Sequence, residues 1–60
     1  MTLADADILR AAAVLIHNRG RHAAPRAELR AEELRSTGDL EGEATWRRIL
    51  EAIRRLQDDT

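Results

Sequence analysis

Two histidines, His17 and His22, are the first residues in this chain that could do chemistry, as a pair of imidazole metal ligands. Ligands on one helical face need a spacing of three or four residues. These two are five apart with Gly20 between them, so they read as a polar helix end and a turn residue. Nucleophilic catalysis has even less to work with. The chain has no cysteine, lysine or tyrosine, and Ser36 is its one serine. A nucleophile needs a neighbouring base and an orienting group, and no histidine lies near Ser36 in sequence. Without cysteine, disulfides and thiolate metal sites are also excluded. No catalytic residue, metal ligand, cofactor site or small-molecule ligand is expected, and an enzyme is not expected.

Arginine is the other chemically suggestive residue. Arg47, Arg48, Arg54 and Arg55 fall on one side of the last amphipathic segment, which raises the alternative of a nucleic-acid-associated regulator. Phosphate binding calls for an unbalanced basic patch. Here Glu43 and Glu51 are interleaved, and the whole chain carries a formal charge of −1. A solvated, ion-paired face is the expectation, and nucleic acid is an unfavoured partner. The segment around Gly38 also invites a helix-turn-helix comparison. The core position nine residues after the turn glycine would then be Arg47, and a charge there argues against that motif. Gly38-Asp39 between two helices further resembles one hairpin of a tetratricopeptide-type array, but such repeats need neighbours to bury their faces.

Sixty residues allow one domain, spanning 1–60. A domain of this size buries only about 60% of the surface its unfolded chain exposes. Without disulfides or a metal, very regular helices and association with a partner are the remaining ways to gain stability. The ten basic residues are all arginine, and eleven alanines accompany them, as a GC-rich coding sequence would produce. The longest apolar run, 11–16, is far short of the about 20 residues that span a bilayer. The start of the chain carries acids rather than a basic n-region, unlike a secretory signal. A cytoplasmic location without membrane contact follows as the expectation, and the lack of cysteine fits it.

The elements that must position these residues are helices, with no strand signal. Three are expected, over about 3–19, 22–36 and 40–57, joined by short turns into an all-α, up-down-up three-helix bundle. In the first, Thr2 and Asp5 fit a capping box, and Gly20 is the stop. Ile8, Leu9, Ala12, Leu15 and Ile16 share its inward face, while Val14 lies well off it. In the second, Pro25 falls in the first turn, where a missing N–H costs nothing. Ala24, Ala27, Ala31 and Leu34 face inward and Leu29 faces away. Gly38 then stops that helix and Asp39 caps the next. Trp46, Ile49, Leu50, Ile53 and Leu56 form the apolar stripe of the third helix, with Trp46 expected at the centre of the core. Gly42, one turn before Trp46, costs about 1 kcal/mol relative to alanine; close approach of another helix or room for the indole would compensate. Glu43→Arg47 and Glu51→Arg55 have the favourable i, i+4 orientation, and 58–60 is expected to fray.

The assembled pattern resembles a family of small bacterial all-helical proteins, a domain of unknown function. It is carried by Asp7-Ile8, Ala11-Ala12, Leu15-Ile16, Gly20, Ala27, Arg30-Ala31 and Leu34. Its most specific part is Gly38-Asp39, Gly42, Trp46-Arg47-Arg48-Ile49-Leu50, Ala52-Ile53 and Leu56. The resemblance implies a compact native domain and brings no activity, cofactor or catalytic residue with it. Function is therefore expected from surface rather than from chemistry. Ala13 and Val14 widen the first helix beyond one apolar face, and Leu29 points away from the core. These three are the candidate interface of a protein–protein interaction or structural module, either a homo-oligomer such as a homodimer or a domain docked on a larger partner.

Overall fold

A computed structural model describes residues 4–58. Among them the protein is all-helical and compact, with a Cα radius of gyration of 11.0 Å. Helix α1 covers Asp5–Arg19, α2 covers Ala23–Ser36 and α3 covers Leu40–Asp58. A single 3-10 turn, Gly20–His22, joins α1 to α2 without any irregular residue between them. The α-helix ends at Arg19 with Gly20 as its C-cap, as expected, but the first junction is a bend in one long helical run and not a short turn separating two helices. Gly20 makes the bend: its φ of 54° and ψ of −125° suit a residue without Cβ. Its N–H still donates to Ile16 O, and the N–H of Ala23 donates back to Gly20 O. Hydrogen bonding thus continues through the change of direction.

The start of α1 differs from the expected capping box. Its N-cap is Ala4, which has no side chain to accept an amide hydrogen. Asp5 is already the first helical residue, and Thr2 and Leu3 lie outside the described residues. At the other end α3 runs through Asp58, beyond the expected stop at 57, and the remainder of the expected frayed tail, 59–60, lies outside the described residues.

The second junction follows its local sequence closely. Gly38 takes φ 84°, and its N–H donates to Arg35 O at 3.0 Å while that of Asp39 donates to Leu34 O at 2.9 Å. These are the two bonds of a Schellman motif, which satisfies the last carbonyls of α2. Asp39 then starts α3. Its Oδ1 accepts the Gly42 N–H at 2.9 Å, and its main-chain oxygen accepts the Glu43 N–H at 3.0 Å.

This cap explains Gly42 differently from the sequence expectation. A Cβ at position 42 would collide with Oδ2 of Asp39 and lie 2.8 Å from its Cγ. The three atoms nearest to that position all belong to the Asp39 carboxylate, not to another helix or the indole of Trp46. Gly42→Ala should gain up to about 1 kcal/mol of helix propensity and lose a comparable amount by displacing the cap. The substitution should be nearly neutral alone and stabilising by about 1 kcal/mol in an Asp39→Ala background. A double-mutant cycle in urea measures this coupling. Equal stabilisation in both backgrounds would show that the carboxylate and position 42 do not interact.

Helix α3 packs along both α2 and α1, while α1 and α2 touch each other much less. Polar contacts fix the directions. Arg48 Nη2 donates to Asp5 Oδ1 at 2.6 Å, and Gln57 Nε2 donates to Gly20 O at 3.0 Å, so α1 and α3 run in parallel. Arg54 reaches Glu28 of α2 at 3.6 Å.

The buried core consists of Ile8, Ala12, Ala23, Ala27, Ala31, Ile49, Leu50, Ala52 and Ile53. Five of these nine are alanine, so close approach of backbones replaces side-chain volume. Ile53 is the largest side chain that is fully buried. Trp46, expected at the centre, is half-buried and packs on the edge of this cluster with Leu15, Ile16, Ala11 and Ala24. Its fused two-ring indole is too bulky for a core closed by alanines. Leu34 is likewise half-buried.

Candidate interaction surface

Two residues assigned to the core by periodicity are exposed instead. Leu9 of α1 is 51% accessible and Leu56 of α3 is 38% accessible. Both border a groove that runs between these helices. Its first part, with a volume of about 510 Å³, is lined by Asp5, Ile8 and Leu9 from α1 and by Arg48, Glu51, Ala52, Arg55 and Leu56 from α3. A second part, of about 500 Å³, is lined by Ala13, Ile16, His17, Leu56 and Gln57. Leu56 lines both.

The groove follows from the way the helices meet. The alanine face of α2 lets α3 lie close against it, and the contact with α2 is the more extensive one. On α1 the residues Leu9, Ala13 and Ile16 succeed one another at i, i+4 and i+7, so they form one strip. Along that strip Leu9 and Ala13 are exposed beside α3, while Ile16 is half-buried against the core. Exposed leucine in the middle with polar and charged groups around it is the pattern of an interface patch.

The interface residues expected from sequence divide in this structure. Ala13 is exposed and lines the groove. Val14 and Leu29 are exposed, at 53% and 51%, but neither lines it. Leu40, in the first turn of α3, is another exposed leucine that stands apart from the groove. Single exposed apolar residues are ordinary on protein surfaces; the strip beside α3 is not single. Sequence reading missed Leu9 and Leu56 as surface because both sit on apolar faces at helical spacing. The available signal was the run of alanines in α2, which marks the side where α3 can approach closely.

The arginines of α3 are mostly engaged with acids. Arg47 bonds Glu43 through Nε at 3.0 Å and through Nη2 at 3.0 Å. Arg48 bonds Asp5, and Arg54 pairs with Glu28. The favourable spacing of Glu51 and Arg55 does not produce a pair: among the described residues neither forms an ion pair. Each of the formed pairs has at least one exposed partner and contributes about 0–1 kcal/mol, so their main effect is to neutralise the face.

The polar residues considered for catalysis have structural partners or open positions. Ser36 Oγ donates to Glu32 O at 3.1 Å, a bond within its own helix. His17 and His22 are both exposed, His17 at the rim of the groove and His22 in the 3-10 turn. Among the described residues no group of three or more His, Asp or Glu side chains could hold a metal ion. No helix among them is long and apolar enough to cross a membrane. Comparison with known protein families, with curated proteins and with solved structures finds no match.

Proposed function

We propose that this chain is a small up-down-up three-helix bundle that works as a protein–protein interaction or structural module, either self-associating or docked on a larger partner. The open α1–α3 groove with Leu9 and Leu56 at its lips is the observation that carries this function. The bundle arrangement is supported by the parallel course of α1 and α3 and by the tight turn between α2 and α3. A native, compact domain also agrees with the resemblance to the small bacterial helical family, which brings no chemistry with it. A non-enzymatic role rests on the residue inventory, and a cytoplasmic setting rests on the lack of cysteine. The alternative, nucleic-acid binding through Arg47, Arg48, Arg54 and Arg55, has less support because three of the four already pair with carboxylates.

Retention of associated protein by the tagged full chain tests the role of the groove. Leu9→Asp and Leu56→Asp should abolish retention while circular dichroism shows the helices intact. Val14→Asp, outside the groove, should retain what the native chain retains. Equal retention by all three variants would remove the groove from the function.

A further inference from the structure

We infer that the occupant of the α1–α3 groove is a second copy of this chain, set across a two-fold axis with the two α3 helices antiparallel. This rests on the interaction role proposed above and names its partner. The groove carries its own charge complement. Asp5 and Arg48 neutralise each other at one end. Glu51 and Arg55 line the same groove, carry opposite signs and form no ion pair among the described residues. A strongly acidic or strongly basic partner would find no net charge here to recognise. A copy of the same surface finds a match.

The order of the two free charges selects the direction. Glu51 precedes Arg55 by four residues, about 6 Å along the helix. When α3 of one copy meets α3 of another in reverse, Glu51 faces Arg55 of the partner subunit, and Arg55 faces Glu51 of the partner subunit. An isologous contact of this kind repeats every interaction twice. In a parallel arrangement like charges would instead face each other. The same contact covers Leu56, and Leu9 beside it, on the flank of α3 next to α1. The small core supplies the motive, since a domain whose described residues include no fully buried side chain larger than Ile53 gains most from covering two exposed leucines.

Sedimentation equilibrium of the full chain from micromolar to millimolar concentration tests this. The native chain should be a dimer. Glu51→Arg and Arg55→Glu should each raise the dissociation constant by at least about tenfold, because each places like charges opposite one another at two symmetric positions. An equimolar mixture of the two variants should restore the dimer, since every charge then meets its opposite across the axis. Both positions lie on the outside of α3, and unchanged helical circular dichroism confirms that the variants fold. A native chain that stays monomeric overturns the inference, as do variants that dimerise like the native chain or a mixture that fails to recover. If the native chain is monomeric yet Leu9→Asp still loses an associated protein, the groove keeps its interaction role and only the second copy is removed. If the native chain dimerises and Leu9→Asp and Leu56→Asp leave the dimer intact, both the groove and this geometry are overturned.

Discussion

Ile53→Ala is expected to destabilise the domain by about 2–5 kcal/mol, the range for removing a buried isoleucine side chain from a core that cannot collapse around the space. Ile53 is fully buried and sits where α3 meets the other helices. Four of the other seven residues of the cluster are alanines, which have no longer side chain to move into a cavity; only Ile8, Ile49 and Leu50 could shift towards it. A chain of this length has a total stability of roughly 3–9 kcal/mol, so the variant should be largely unfolded or close to it at room temperature. Urea denaturation followed by circular dichroism measures the loss. Trp46→Ala is the comparison that makes the result decisive. Its ring is half-buried on the edge of the cluster, so its removal should cost less than that of Ile53. If the tryptophan variant proves the weaker of the two, the centre of the core lies at Trp46 and not at Ile53.

Ala27→Leu should lower stability by about 1–3 kcal/mol although it adds apolar volume at a core position. Ala27 is fully buried in α2 and belongs to the cluster shared with α3. The packed interior has no room for three more carbons, so the helices must separate or the new side chain must leave its rotamer. Ala44→Leu, at an exposed position of α3, should stay within about 0.5 kcal/mol of the native chain. The pair of thermal unfolding curves distinguishes close helix approach from a loosely filled interior. A gain in stability from Ala27→Leu would mean that α2 and α3 are held apart with space between them.

Leu9 and Leu56 mark where sequence reading stops. Each lies on an apolar face at helical spacing, and hydrophobic periodicity assigns the whole face to the core. Coverage depends on how far the opposing helix reaches, which the periodicity of a single helix does not contain. Gly42 makes the same point at short range. Its glycine was legible, but its reason lies in the rotamer of Asp39, whose carboxylate occupies the space a Cβ would need. Glu51 and Arg55 have the spacing of a helical ion pair and yet do not form one, whereas Arg48, with no expected partner in sequence, bonds Asp5 from another helix at 2.6 Å. The expectation that this chain is not an enzyme came from the residue inventory alone; the position of the groove came from the packing of α1 against α3.

By itself the sequence determined the helical character, the end of α2 at Ser36, and the Gly38–Asp39 junction. These depend on hydrogen bonds and backbone angles within a few residues of one another, such as the 2.9 Å bond from Asp39 N to Leu34 O and the positive φ of Gly38. Only the tertiary structure decided that α1 continues into α2 through a bend, that Ile53 and not Trp46 fills the centre, and that Leu9 and Leu56 border an open groove. The bend is set at Gly20 by its backbone angles, and the other two outcomes depend on how closely helices can approach. Small alanine side chains on α2 bring α3 against it, and the same closeness leaves the lip of α1 uncovered.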